Sequence, residues 1–344
     1  MGKLAKHIAI IRLSALGDVA MLIPVITAAL KDNPEVHFTV VTKGFNATLF
    51  KDINRVQVVA ANVYKEHKGV LGLYKLAKTL KKLDVNAVAD MHQVLRSKVL
   101  RNYLRVMGMP VAAINKGRAQ KKALTQPVKT NWAPLQTTHQ RYAAVLQQLD
   151  LTVDLAKANP LARLPMPAMA KELLGSWNGK IVGIAPFAAF KGKSYGLEPM
   201  REVLLALQAL GTYKLLLFGG PNEKQQLLAL ANGLELVQVV AGTFSFQDEL
   251  AIISNLDLMV AMDSGNGHLA ANYGVPVVTL WGVTHPYLGF APFGQPASHG
   301  LLPDLEKYPK IPTSVYGKNN PPGYDLAINS ILPTAVVEAI QKFT

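Results

Sequence analysis

One pattern repeats along almost the whole sequence: a short apolar run, a longer amphipathic stretch, and then another apolar run. Strands that are buried on both faces give uninterrupted apolar runs, whereas amphipathic stretches of ten or more residues are typical of helices. Their alternation is typical of βαβ units, in which helices cover both faces of a parallel sheet. The pattern therefore predicts an α/β fold.

The pattern occurs twice, and a segment containing Pro160, Pro165 and Pro167 separates the two copies. Proline disfavours continuous helix or sheet, so the segment indicates a domain boundary. The predicted strands are Ile8–Leu13, Phe38–Thr42, Val56–Ala60, Ala87–Asp90, Val111–Ile114, Ile181–Ala185, Tyr213–Phe218, Leu236–Val240, Leu258–Ala261 and Val275–Trp281. We predict two doubly wound, Rossmann-like domains, residues 1–165 and 175–325, that face each other across a cleft.

Helices are expected between these strands. The predicted helices are Asp18–Lys31, Val70–Lys82, Val94–Met107, Thr138–Leu149, Leu197–Leu210, Asn222–Gly233, Gln247–Asn255, Gly267–Tyr273 and Pro333–Phe343. The basic run Lys116–Lys122 and the stretch Pro292–Gly323, which is rich in Pro, Gly and Asn, are predicted to be loops.

Charge is distributed unevenly along the 344 residues, whose formal net charge is +14. Residues 1–165 hold 25 Lys and Arg against 9 Asp and Glu, whereas the remainder holds 11 against 13. Such a field attracts nucleic acid, an anionic membrane surface or a phosphorylated substrate, although a merely solvated basic face would look the same. The chain has no cysteine, which excludes disulfides and thiolate metal sites, and it has no apolar run of about 18 residues. We expect a cytoplasmic protein.

The first strand runs directly into Ser14–Asp18, at a predicted strand–turn–helix junction. Gly17 lets the backbone turn sharply and lets a ligand approach closely. Asp18 either caps the helix or acts on a ligand. The G-x-G-x-x-G fingerprint is absent, which argues against a nicotinamide or flavin site.

A basic helix follows Asp90-Met91-His92 and carries Arg96, Lys98 and Arg101. Lys98 and Arg101 share a helix face, so this helix could bind phosphate or carboxylate beside the cleft. A solvated basic face is the alternative.

Two loops of the second half have residues suited to a nucleotide. Lys191 and Lys193 follow the strand Ile181–Ala185 and could hold a diphosphate, although the Walker A spacing is missing. Gly219 permits close approach of a ligand, and Glu223 could accept hydrogen bonds from ribose hydroxyls. Glu223 could instead be a carboxylate that interacts favourably with a helix N-terminus.

A polar, glycine-rich turn, Asp263-Ser264-Gly265-Asn266-Gly267-His268, opens onto the next predicted helix. Backbone N–H groups at a helix N-terminus have no intrahelical partner, and the helix dipole favours negative charge there. The turn is therefore suited to a diphosphate, with His268 as a further donor.

Together these segments resemble the ADP-heptose:lipopolysaccharide heptosyltransferases, glycosyltransferase family nine. Four pieces in the same order carry the resemblance over about residues 7–295. They are Arg12–Val19, Thr138–Tyr142, Gly219–Lys224, and Asp263–Ala271 followed by Thr279–Pro286.

The resemblance implies a GT-B fold and inverting sugar transfer without a metal or other cofactor; the sequence has no Asp-x-Asp motif. Asp18 matches the family's proposed general base, with Ser14 and Gly17 beside it in the acceptor site. In the donor site, Lys191 or Lys193 and the turn Ser264–His268 would hold the diphosphate. Glu223 matches the carboxylate that binds ribose, and Asp263 would organise the site.

The family's acceptor is the phosphorylated inner core of lipopolysaccharide at the inner face of the cytoplasmic membrane. The resemblance thus implies an ADP-sugar donor, an anionic acceptor contacted by Arg96, Lys98 and Arg101, peripheral membrane contact, and no nucleic acid. It also implies that the last helix, 333–344, packs back on the first domain.

Three other functions remain open on the sequence. A non-hydrolysing nucleotide-sugar epimerase shares the two-domain architecture. A nucleic-acid-binding protein would explain the net charge, although no recognisable module is present. An inactive member of the family would bind sugar nucleotide only.

Overall fold

The computed structural model describes residues 6–129, 132–318 and 320–344. Residues 1–5, 130, 131 and 319, which the sequence analysis included in its domains and loops, lie outside this description. The chain forms two compact units. The first unit runs to Lys116 and resumes over Thr138–Asn159; the second comprises Gly117–Thr137 and Pro160–Thr344.

The described residues of the first unit form one parallel sheet. Its strands are β1 (His7–Ile11), β2 (His37–Thr42), β3 (Val56–Ala60), β4 (Ala87–Asp90) and β5 (Val111–Ala113), in the order β3-β2-β1-β4-β5. On the central strand, Ile8 lies opposite Phe38 of β2 and Ala87 of β4. Ile8, Ala9, Ile10 and Ile11 of β1 are fully buried, which explains their uninterrupted apolar run.

The helices of the first unit are α1 (Leu16–Ala20), α2 (Leu22–Asp32), α3 (Gly69–Lys82), α4 (Leu95–Val106) and α6 (Thr138–Gln147). The helix predicted from Asp18 therefore begins two residues earlier and is divided at Met21. Helices α3 and α4 pack on one face of the sheet, where their leucines join Ala9 and Ile11 in a single core.

The second unit also has a parallel sheet, with the order β11-β10-β9-β6-β7-β8. Its strands are β6 (Lys180–Ala185), β7 (Tyr213–Leu217), β8 (Val237–Val239), β9 (Leu258–Met262), β10 (Val277–Leu280) and β11 (Gly300–Leu301). Its helices are α5 (Arg118–Leu124), α7 (Ala168–Leu174), α8 (Leu197–Leu210), α9 (Lys224–Ala231), α10 (Phe246–Ser254), α11 (Gly265–Asn272) and α12 (Pro333–Phe343). The short strand β11 lies within the stretch predicted to be loop.

Residues 117–137 belong to the second unit, and the predicted loop Lys116–Lys122 is largely the helix α5. The Lys121 ammonium lies 3.7 Å from the ring centroid of Phe290, and the Leu124 side chain is buried. The Leu135 N–H donates to the Tyr287 carbonyl oxygen at 2.9 Å. The chain therefore passes between the units three times, whereas the proline-containing segment predicted a single boundary.

Helix α12 packs on the second unit, so the expectation that it returns to the first domain is wrong. Val336, Ala339 and Ile340 share a core with Leu204 and Leu207 of α8. Its amphipathic sequence requires an apolar partner but does not specify which one, because any apolar surface can bury such a stripe.

Each sheet has one place where the connections of two neighbouring strands diverge. From β1 the chain proceeds to β2 and β3 on one side, whereas β4 and β5 lie on the other; β6 and β9 have the same relation in the second sheet. In open α/β sheets, ligands bind in the crevice outside the carboxyl ends of two such strands. The candidate functional residues are therefore those that follow β1, β4, β6 and β9.

None of the helices in the described ranges is long and apolar enough to cross a membrane.

Substituting Ile340→Ala tests the position of α12. The Ile340 side chain is fully buried in the core of the second unit, so truncation should lower the free energy of unfolding by about 2–5 kcal/mol. Gln341→Ala changes an exposed residue of the same helix and should leave stability nearly unchanged. Chemical denaturation measures both, and equal stabilities for the two variants would contradict the packing described.

Candidate functional site

Arg12 follows β1 directly and is buried at the crevice between β1 and β4. Its guanidinium forms an ion pair with the Asp18 carboxylate and donates to the Met91 carbonyl oxygen at 2.9 Å. A buried guanidinium needs such partners, because an uncompensated charge in the interior is costly. The Arg12 side chain is 7% exposed and that of Asp18 is 30% exposed, so the carboxylate is held from inside and remains accessible from outside.

Two further contacts fix the segment that bears Asp18. The Ala15 N–H approaches the Asp18 carboxylate at 3.4 Å, which is the capping contact that the sequence allowed. The Tyr142 hydroxyl donates to the main-chain oxygen of Asp18 at 3.2 Å. Burial raises the pKa of Tyr142, so its hydroxyl stays protonated and remains a donor. Ser14 and Gly17 lie half-buried in the same turn.

His92 follows β4 and supports the same turn from the opposite side of the crevice. Its Nδ1 lies 3.4 Å from the Leu13 N–H, which donates to it. Burial, and then the positive charge of Arg12, lower the pKa of His92 to about 3. The ring is therefore neutral at pH 7, as an accepting nitrogen requires. The roles of Arg12 and His92 could not be predicted from the sequence, because each depends on a contact with a residue about 80 positions away.

Asp90 organises the loop that presents Met91 and His92. Its buried carboxylate accepts from the N–H groups of His92 and Gln93 at 3.0 and 2.8 Å. The Ser97 hydroxyl and the Arg101 guanidinium donate to its other oxygen, each at 3.1 Å. Such a set of donors stabilises a carboxylate inside the protein.

The three basic residues expected to contact the acceptor therefore differ in their surroundings. Arg96 and Lys98 are exposed on the first turns of α4. The Arg101 side chain is 16% exposed and is paired with Asp90. Its guanidinium is held in a structural ion pair, so Arg96 and Lys98 are the candidates for acceptor contact whose charges face solvent.

The crevice of the second sheet contains a comparable buried pair. Lys193, in the loop after β6, donates to the main-chain oxygen of Asp263 at 2.6 Å and to its carboxylate at 3.2 Å. The Thr284 hydroxyl donates to the same carboxylate oxygen at 2.8 Å. Asp263 follows β9 and Lys193 follows β6, so their contact joins the ends of the two strands that border the crevice.

Ser264 comes next and is the N-cap residue of α11. Its hydroxyl is buried and has no hydrogen-bond partner among the residues that the structure describes. A buried hydroxyl without a partner is uncommon in proteins and is accounted for when a ligand supplies the missing bond. The N–H groups of Gly265 and the residues after it begin the helix beside this hydroxyl, and His268 lies buried one turn further on.

Lys191 and Lys193, which the sequence could not separate, have different partners. The Lys191 side chain is 75% exposed and pairs with Asp325 at 2.8 Å, whereas that of Lys193 is 13% exposed. The bond from Lys191 lowers the pKa of Asp325. Only Lys193 lies beside the Asp263–Ser264 turn, so Lys191 is assigned to holding the segment around Asp325.

Backbone packing explains part of the fourth sequence motif. The Val283 N–H donates to the Gly192 carbonyl oxygen at 2.9 Å, which joins the loop after β10 to the loop after β6. A Cβ atom at Gly282 would overlap that same oxygen. Position 282 therefore requires glycine so that the two loops can lie in contact.

Glu223 lies in the turn between β7 and α9, where one of its carboxylate oxygens accepts from the Gly220 N–H at 2.6 Å. The side chain folds over Gly219, where a Cβ atom would lie 2.8 Å from the carboxylate. One oxygen of Glu223 is thus committed to its own turn, and the second is the one that suits a ligand hydroxyl.

No group of three or more His, Asp or Glu side chains in the described ranges is arranged to hold a metal ion. Whether the protein uses a metal is a separate question, and metal independence remains a prediction from the sequence.

Comparison with known proteins gives a consistent result. The family model for glycosyltransferase family 9 (heptosyltransferase) matches residues 73–316. Lipopolysaccharide heptosyltransferase 1 of Pseudomonas aeruginosa is 25% identical over 304 residues, which cover 81% of this chain and 79% of that protein.

Solved structures share the fold. The glycosyl transferase family 9 protein of Veillonella parvula superposes with a TM-score of 0.77 at 20% identity, covering 100% of this chain and 98% of that one. The E. coli heptosyltransferase WaaC with ADP gives a TM-score of 0.64 at 19% identity, covering 98% and 97%.

The predicted fold class is therefore confirmed as GT-B, with two Rossmann-like parallel-sheet domains. The match to the family model extends over more than two-thirds of the chain; it includes the crevice of the second sheet and begins after β1, Arg12 and Asp18. This chain belongs to glycosyltransferase family 9, the heptosyltransferases.

Proposed function

We propose that the protein transfers a heptose or a related sugar from an ADP-sugar to the inner core of lipopolysaccharide, with inversion at the anomeric carbon. The observation that carries the proposal is the Asp18 carboxylate, which the buried Arg12 holds at the carboxyl end of β1. Two comparisons support the substrates. The relative in P. aeruginosa is a lipopolysaccharide heptosyltransferase, and the E. coli heptosyltransferase structure of similar fold contains ADP.

We assign the donor to the second unit. The diphosphate would accept hydrogen bonds from the Ser264 hydroxyl and from the first N–H groups of α11, beginning with Gly265. Lys193 supplies positive charge next to this turn, and Asp263 keeps the ammonium in place. Glu223 would accept from the ribose hydroxyls, and Gly219 leaves room for the Glu223 carboxylate.

Asp18 is proposed as the general base. The carboxylate takes the proton from the acceptor hydroxyl while the hydroxyl oxygen forms a bond to the anomeric carbon. The bond between that carbon and the diphosphate oxygen breaks, and negative charge develops on the leaving group. Lys193, the α11 N-terminus and His268 stabilise that charge, which is why no metal is required in this proposal.

The acceptor would bind in the first unit. Ser14 and Gly17 border Asp18, and the exposed Arg96 and Lys98 would contact phosphate or carboxylate groups of the core sugars. We further propose that the protein works in the cytoplasm, at the inner face of the cytoplasmic membrane, where such a lipid-linked acceptor is accessible.

Replacing Asp18 with asparagine preserves the size of the side chain and removes its ability to take a proton. The turnover number kcat for sugar transfer should fall at least about 100-fold, because general base catalysis typically contributes this much. ADP should still raise the melting temperature as it does for the unchanged protein, since Asp18 lies in the first unit. Turnover close to normal would show that another group takes the proton.

The two loop lysines form a matched pair for testing donor binding. Lys193→Ala should weaken ADP binding about tenfold, because an interaction with a charged group is lost, while Lys191→Ala should change it little. Calorimetric titration with ADP measures the affinity of both variants. Titration with UDP tests whether the site prefers adenine to uracil. Equal affinities in the two variants, or a preference for UDP, would count against the donor site described.

Lys98→Ala and Arg101→Ala separate acceptor binding from structural support on one helix. The first should raise the acceptor KM about tenfold and leave stability unchanged. The second should lower the free energy of unfolding by about 3 kcal/mol, since it leaves the buried Asp90 carboxylate without its cation. Steady-state kinetics and denaturation of both variants test this assignment. A raised acceptor KM in Arg101→Ala together with a loss of stability in Lys98→Ala would show that the two roles are the other way round.

A further inference from the structure

Helix α3 and the loop before it expose an unusual amount of apolar surface. Tyr64, Val70, Leu71 and Tyr74 are all exposed, with 78% of Leu71 open to solvent. We call these four residues the α3 patch. Single exposed apolar residues are ordinary in soluble proteins, but a contiguous group indicates a binding surface.

The exposure follows from the helix having two apolar faces. Leu73, Leu76 and Leu80 point into the core of the first unit. Leu71 and Tyr74 are three residues apart and therefore lie on a common outward face. Burial of α3 against the sheet is thus complete without the α3 patch. The Tyr74 ring also packs edge-on against Tyr103 of α4, with the ring centroids 5.3 Å apart, so Val70 and Leu71 are the part of the helix face that is open to another partner.

Positive charge surrounds the α3 patch. Residues 61–83 contain six lysines and one acidic residue, Glu66. The first unit as a whole, residues 1–116 and 138–159, holds 20 Lys and Arg against 9 Asp and Glu. Several of these cations lie over the patch rings: Arg96 Cζ is 5.0 Å and Lys43 Nζ is 5.7 Å from the Tyr64 centroid, and Lys78 Nζ is 5.7 Å from that of Tyr74.

The α3 patch lies at the same edge of the first sheet as Asp18. Helix α3 starts from the carboxyl end of β3, and β1 lies between β2 and β4. Tyr64 contacts Lys43, which follows β2, and Arg96, which follows β4. The loop bearing Tyr64 therefore runs beside the carboxyl end of β1, where the proposed base is held.

We propose that the α3 patch binds the surface of an anionic phospholipid bilayer. Aliphatic and aromatic side chains at the start of α3 would enter the headgroup region, while lysines such as Lys65, Lys68 and Lys75 attract anionic headgroups. Nucleic acid would use the charge but gives Val70 and Leu71 no apolar environment. The role in presenting a lipid-linked acceptor to Asp18 rests on the proposed function, whereas binding to lipid does not.

Co-sedimentation with vesicles tests the proposal on the full-length protein without donor or acceptor. Phosphatidylcholine vesicles containing phosphatidylglycerol should bind the protein, pure phosphatidylcholine vesicles should bind it weakly, and added salt should reduce binding. The variant Leu71→Ser/Lys75→Ser should bind at least about tenfold more weakly, since one lysine near an anionic surface alone accounts for about fivefold.

The matched control is Val106→Ser/Lys82→Ser. It also removes one exposed aliphatic residue and one exposed lysine, from the C-terminal ends of α4 and α3. Lys82 is about 10 Å along the helix axis from Lys75, so binding should change less than about threefold. Equal losses in the two variants would mean that net charge alone drives binding, and the proposal would fail.

Two further results overturn the proposal. One is an absence of binding to phosphatidylglycerol vesicles. The other is stronger binding to a single-stranded oligonucleotide with the same dependence on Leu71, which would identify nucleic acid as the partner. Sugar transfer to a deacylated, soluble acceptor is measured on the same variants, because it does not require lipid. Normal transfer with lost vesicle binding supports the proposal, whereas absent transfer in the unchanged protein refutes the proposed function and leaves the vesicle result standing.

Discussion

A buried cation at the point where the strand connections diverge is the interaction on which both units depend. Arg12 occupies the crevice between β1 and β4, and Lys193 that between β6 and β9. Each cation contacts a main-chain carbonyl oxygen at the end of a strand and an acidic side chain. Arg12 contacts the Met91 carbonyl oxygen and the Asp18 carboxylate, whereas Lys193 contacts the carbonyl oxygen and the carboxylate of Asp263. Because a charge of this kind is tolerated only with partners, the cations fix the turns that carry the proposed chemistry.

These pairs differ in the support behind them. In the first unit a second carboxylate, the buried Asp90, shapes the loop that gives Arg12 its carbonyl partner, and Arg101 and Ser97 hold Asp90. In the second unit, Thr284 holds Asp263 directly. The buried hydroxyl of Ser264 has no hydrogen-bond partner in the part of the chain that the structure describes, and it stands where a diphosphate is proposed to bind.

Much of this could be read from the sequence, because buried parallel strands and glycine-rich turns leave a local signal. Strands β1 to β10 were predicted to within about two residues at each end, whereas the two-residue strand β11 was missed; the turns around Asp18 and Asp263 were identified correctly as the ends of β1 and β9. What failed depends on distant partners. Lys191 and Lys193 are chemically identical until Asp325 and Asp263 are placed, and nothing near Arg101 shows that it pairs with a carboxylate in the core. The packing site of α12 was wrong for the same reason.

The excursion of residues 117–137 into the second unit has a consequence for how this protein is made. During synthesis the first unit has its full sequence once Asn159 has emerged, yet the enclosed segment must wait for Phe290 and Tyr287, about 130 residues later. A gene divided at residue 160 would leave the same segment permanently without its partners. The two halves of this enzyme are thus distinct in architecture but not independent in assembly.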